Sequence, residues 1–124
     1  MEQLLAHLFG DYVMQNDWMA NNKTNSWWPA FVHALTYSIP FIFITQSLLA
    51  LFVIFSTHLL IDHYRIARLV VFAKNWLGDR RLKWEDCRAT GYHKEKPIWL
   101  AVWLLIIVDN CLHLGINYAA IRWL

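Results

Sequence analysis

Charge is scarce in this sequence. Lys, Arg, Asp and Glu make up 16% of its 124 residues, where a soluble domain carries about 25% to hydrate its surface. That shortage argues against a water-soluble globular domain. Four Gly and three Pro exclude a collagen-like or disordered Pro/Gly-rich chain, and two Cys exclude a disulfide scaffold. There is no C-x-x-C, no H-E-x-x-H, no glycine-rich phosphate loop and no G-x-S-x-G. The chemistries those motifs carry have nothing to rest on. What the chain does have is apolar mass. Hydrophobic residues reach 58% and Trp occurs eight times, with a mean hydropathy of +0.31. Length and composition indicate one small integral membrane domain over residues 1–124.

Residues 24–61 contain no Asp, Glu, Lys or Arg. A span needs about 20 apolar residues, so this run holds two spans and not three. Residues 97–121 contain one charged residue, Asp109, and read as another span. Residues 3–20 are less apolar, but Leu4, Leu5, Leu8, Phe9, Tyr12, Val13 and Met14 leave one face to His7, Asp11 and Gln15. That pattern predicts a first span turning a polar stripe toward its neighbours, or else an amphipathic helix lying on the membrane. Without a basic n-region, and with Asp11 inside the apolar stretch, a cleavable signal peptide is not expected. The predicted fold is all-α: an integral membrane bundle of four helices at about 3–20, 28–45, 48–76 and 97–122. Pro40 should kink the second helix, and Thr45, Gln46 and Ser47 should form a tight hairpin.

Nine of the eleven Lys and Arg lie between Arg65 and Lys96. By the positive-inside rule the loop at about 77–96, between helices 3 and 4, is cytoplasmic, on the inner face of the membrane; Arg122 argues the other way. Cys87 then faces a reducing compartment and Cys111 lies within a span, so no disulfide is expected. Trp76, Trp84 and Tyr92 interleave with the basic residues as in a nucleic-acid patch. Topology explains the same charge without a ligand, so the expected partners are membrane lipids and not nucleic acid.

The informative residues are those interrupting the apolar runs. His7 and Asp11, His58 and Asp62, and Asp109 and His113 are each four apart, a spacing that puts both members on one helix face. His33 adds a fourth imidazole. An ionised carboxylate at the bilayer centre costs about 2.5–3.5 kcal/mol on insertion scales, which partners or a bound cation must offset. At 1.5 Å per residue most of these groups fall in one band about 6 to 18 Å from the cytoplasmic boundary, with His7 and His113 deeper. Imidazole and carboxylate together are ligands for first-row metals. The candidate metal ligands are His7, Asp11, His58, Asp62, Asp109 and His113. His33 is a candidate general base, and Gln15 and Asn110 are candidates to polarise or orient a substrate. The competing reading is a polar network that fixes helix register without a ligand.

The segments HLFGDYVMQNDWMANNK, HALTY, HLLID and DNCLH occur in that order. Together they resemble a family of small multi-pass membrane proteins of bacteria and phages that is catalogued as a domain of unknown function. The resemblance carries over onto His7, Asp11, Gln15, Asp17, His33, His58, Asp62, Asp109 and His113. Asn110 stands where that family usually has Gln, and the basic loop is longer than usual. A more distant similarity is to membrane-bound metal-dependent hydrolases.

These observations lead to an intramembrane hydrolase in which a divalent ion, zinc or manganese, activates water against a lipid or membrane-embedded substrate. The alternatives are a proton or cation transport or sensing module that must assemble as a homo-oligomer, a haem protein using two of the His, and a regulatory membrane factor without catalysis.

Overall fold

The computed structural model describes residues 1–124, and all regular structure in it is helical. The helices are α1 (Glu2–Leu8), α2 (Asp17–Asn22), α3 (Trp27–Ser38), α4 (Leu48–His63), α5 (Ile66–Gly78), α6 (Trp84–Cys87) and α7 (Ile98–Trp123). A π-helical turn (Phe9–Val13) follows α1 and a 3-10 segment (Ile39–Phe43) follows α3. The chain forms two compact units, one of Met1–Tyr64 with His113–Leu124, the other of Arg65–Leu112.

Three of the four expected helices are broken, each for a local reason. The helix expected at 3–20 widens into the π-turn and stops before Asn16. Asn16 is extended, and its side-chain oxygen accepts from the Met19 N–H at 2.9 Å. It caps a new helix, α2, whose first turn carries Asp17. Gly10 marks where the first segment meets α3. A Cβ there would lie 2.8 Å from the Tyr37 carbonyl oxygen, so only glycine permits this approach.

The second helix is α-helical only to Ser38. Pro40 lacks an N–H and its ring obstructs the carbonyl four residues back, so the backbone tightens into the 3-10 segment. The hairpin at Thr45–Ser47 forms as expected. The Ser47 hydroxyl accepts from the Ala50 N–H at 3.2 Å and starts α4. The helix expected at 48–76 divides at Arg65, which is left-handed (φ 53°, ψ 48°) and therefore stops the hydrogen-bond ladder. Neither Gly nor Pro stands at that point to signal it. The last helix runs Ile98–Trp123, close to its expected bounds.

The first unit packs Tyr37, Phe41, Ala50, Ile54 and Ala120 together. Several polar residues are also inside: His7, Asp11, His33, His58, Asp62, His113 and Asn117 are all buried. Large apolar side chains such as Phe43, Leu48 and Phe52 are exposed instead.

The second unit centres on Val71, Tyr92 and Ala101. Its basic residues fold onto its own aromatics, with Arg80 3.9 Å from the Trp76 ring centre and Lys96 5.3 Å from that of Tyr92. The expected loop at 77–96 contains the short α6. Gly91 has φ +84°, and a Cβ on it would fall 2.3 Å from the Arg68 carbonyl oxygen. One helix, α7, is long and apolar enough to cross a membrane by itself; α4 and α5 taken together as one broken span would be a second.

Candidate metal centre

Three segments of the first unit deliver four ligand-type atoms to one point. Asp11 comes from the π-turn, His33 from α3, and His58 with Asp62 from successive turns of α4. One atom from each, taken together, lie within 4.8 Å of one another, so the cluster could hold a metal ion. His33 Nε2 is 3.2 Å from Asp11 Oδ1, 3.3 Å from Asp62 Oδ2 and 2.9 Å from His58 Nε2. His58 Nε2 is 3.8 Å from Asp11 Oδ1 and 3.5 Å from Asp62 Oδ2. A regular tetrahedron with metal–ligand bonds of about 2.0–2.1 Å has edges of about 3.3–3.4 Å. These five edges, from 2.9 to 3.8 Å, straddle that value. A plain hydrogen-bond network fits less well, because His33 Nε2 is a single nitrogen with one proton or one lone pair to share among its neighbours.

A supporting layer surrounds the four. His113 Nε2 is 3.0 Å from Asp62 Oδ1, and its Nδ1 is 3.3 Å from His58 Nδ1. The Tyr37 ring stacks on His58, centroids 3.5 Å apart and planes within 9°. Tyr37 Oη is 2.8 Å from His7 Nδ1 and accepts from Asn117 Nδ2 at 2.6 Å. On the outer side, Lys23 donates from Nζ to Asp62 Oδ2 at 2.5 Å, and Nζ lies 3.3 Å from His33 Nε2. The Lys23 carbonyl oxygen is held by His63 Nδ1 at 2.8 Å, and Trp27 packs on that imidazole.

The expected site residues therefore separate. Asp11, His58 and Asp62 converge, and His33 joins them as a fourth ligand-type group rather than standing apart as a base. His113 supports Asp62 and His58, while His7 pairs with Tyr37. Gln15 lies in the turn after the π segment, its Oε1 buried without a hydrogen-bond partner. Asn110 donates from Nδ2 to the Ile106 carbonyl of its own helix at 2.9 Å. Asp109 is half-buried on α7, one turn before His113.

Sequence reasoning gave no role to Lys23, Tyr37 or Asn117. Each had a signal. Tyr37 and Asn117 follow His33 and His113 by four residues, and Lys23 is the sole Lys or Arg before Arg65.

The sequence pattern of the family described as "Protein of unknown function (DUF3307)" matches residues 1–121. The chain belongs to this family. The match takes in all of the His and Asp residues above, so the centre lies inside the DUF3307 region. No curated protein and no solved structure matches the chain.

Proposed function

We propose that this chain is a membrane-embedded metalloprotein in which Asp11, His33, His58 and Asp62 hold one divalent ion, with zinc favoured over manganese. The convergence of four ligand atoms with near-tetrahedral edges carries the reading. Zinc takes mixed imidazole and carboxylate ligands at such spacing, whereas manganese suits oxygen-rich octahedral sites. The placement of ring protons supports it. A carboxylate oxygen only accepts, so His113 Nε2, facing Asp62 Oδ1, carries a proton. In the neutral ring its Nδ1 is bare, and His58 Nδ1 is the donor across the 3.3 Å contact. His58 Nε2 is then a lone pair aimed into the cluster, the form a metal requires.

The membrane setting is supported by the distribution of side chains. In the first unit four His and two Asp are inside while large apolar side chains such as Phe43, Leu48 and Phe52 are outside, which suits a lipid environment rather than water. Lipids would then be the surrounding partners of this unit.

Hydrolysis of a lipid or membrane-embedded substrate is the finer reading, favoured by two observations. Asp11 makes the longest edge, 3.8 Å to His58, and sits in a π-turn, a feature frequent at functional sites. An apolar groove of about 880 Å³, lined by Leu8, Phe9, Tyr12, Val13, Pro40 and Phe43 among others, flanks that turn and has room for an acyl chain. Of the four ligands, Asp11 with its longest edge would be the one to let go of the ion and accept a proton, while His33, His58 and Asp62 would keep it. A bound divalent ion supplies Lewis acidity there.

Metal analysis of the full chain purified in detergent tests the centre. One equivalent of zinc is expected, lost in Asp62→Asn and His58→Ala. Zinc absent from the wild type after reconstitution overturns the reading. Zinc retained without cleavage of lipid esters or phosphoesters would favour cation sensing over hydrolysis.

A further inference from the structure

We propose that the Lys23 ammonium is a built-in competitor for the cation site, holding a lone pair of Asp62 that a divalent ion would use and leaving when the ion binds. The inference rests on the metal-centre reading and adds its regulation. An ammonium is a donor only. Its approach to Asp62 Oδ2 at 2.5 Å is therefore directed at an acceptor lone pair, with His33 Nε2 3.3 Å from the same Nζ. Those two atoms belong to the converging set of four.

Coexistence is unfavourable. An ion bonded to Asp62 Oδ2 at about 2.0–2.2 Å would stand within about 4.7 Å of Nζ, two like charges in a largely dry pocket. The four ligand-bearing residues are all buried, whereas the Lys23 side chain retains 18% exposure. Lys23 thus lies between the site and the surroundings.

The backbone of Lys23 does not need to move. Its carbonyl is fastened to His63 on α4, the residue after Asp62, and Trp27 covers that imidazole. The anchor is fixed while the four-carbon stem swings. A lysine with a fixed base and a mobile charged tip can leave and return without disturbing the ligands. In the absence of metal the ammonium balances the buried carboxylates, so the site stays assembled and ready.

Zinc affinity of the full chain in detergent, by competition with a chromophoric chelator, tests the proposal in the wild type and in Lys23→Met. Removing the competitor should tighten zinc at least ten-fold. The wild type alone gives a second readout. Acetylation of Lys23 by an amine-reactive ester, followed by mass spectrometry against the exposed Lys74 and Lys94, should accelerate several-fold when zinc is added. Equal or weaker affinity in Lys23→Met, or Lys23 acetylation unchanged while zinc is bound, overturns this inference alone. No zinc in either protein overturns the metal centre and the competitor together.

Discussion

Tyr37 lies face to face on His58, ring centroids 3.5 Å apart, while its hydroxyl reaches away to His7 and Asn117. One side chain thereby fixes the orientation of an inner imidazole and ties the inner cluster to the next polar layer. Its ring and its hydroxyl do separable work. Tyr37→Phe keeps the stack and removes two hydrogen bonds, so it should cost about 1–3 kcal/mol of stability. Zinc stoichiometry should not change. Thermal unfolding and metal content measured on the same preparation check both halves.

His113 should behave as a support rather than a ligand. His113→Ala removes the partner of Asp62 Oδ1 and of His58 Nδ1, and loss of such outer partners weakens metal binding about 10–100-fold. Chelator competition should show weakened, not abolished, binding. Complete loss of zinc at saturating concentration would place His113 in the inner set.

His7 stands on the far side of Tyr37, and His7→Ala should retain one equivalent of zinc. His33→Ala, taken at the sequence level for a base, should lose it. Parallel metal analysis of these two variants reads the division directly.

Gly10→Ala tests how the first segment seats. Its Cβ would meet a backbone carbonyl at 2.8 Å, and overpacking of this kind costs about 1–3 kcal/mol. Because Asp11 is the next residue, zinc affinity should fall along with the melting temperature. In the second unit, Gly91→Ala should be harsher, since its Cβ falls 2.3 Å from a carbonyl and its φ is positive. Reduced yield of folded protein, seen as a shift to aggregate in gel filtration, is the expected outcome.

The candidate site was more legible in the sequence than the fold was. His and Asp at four-residue spacing in stretches without other charge stand out because long apolar stretches rarely carry them. Their sorting into ligands and supports was not visible. Helical spacing gives a face but not which ring nitrogen points where, so the sequence left His33 outside the ligand set that it joins and put in His7, which pairs with Tyr37. The breaks were harder still. Pro40 announced its own, but Asn16 acts through a cap that a helix reading passes over, and Arg65 adopts a left-handed conformation that its residue type disfavours. Tertiary packing rather than local preference selects it.

The interruption at Asn16 matters beyond local geometry. In an uninterrupted rod from Glu2 onward, Lys23 would sit about 18 Å along the axis from Asp11. In the folded chain the acid and the ammonium instead approach the same His33 nitrogen. A short contiguous stretch thus supplies both a carboxylate and a retractable cap. Adding or deleting a residue in this turn would move the cap and spare the anion, so the length of the connection governs how firmly the pocket is stoppered.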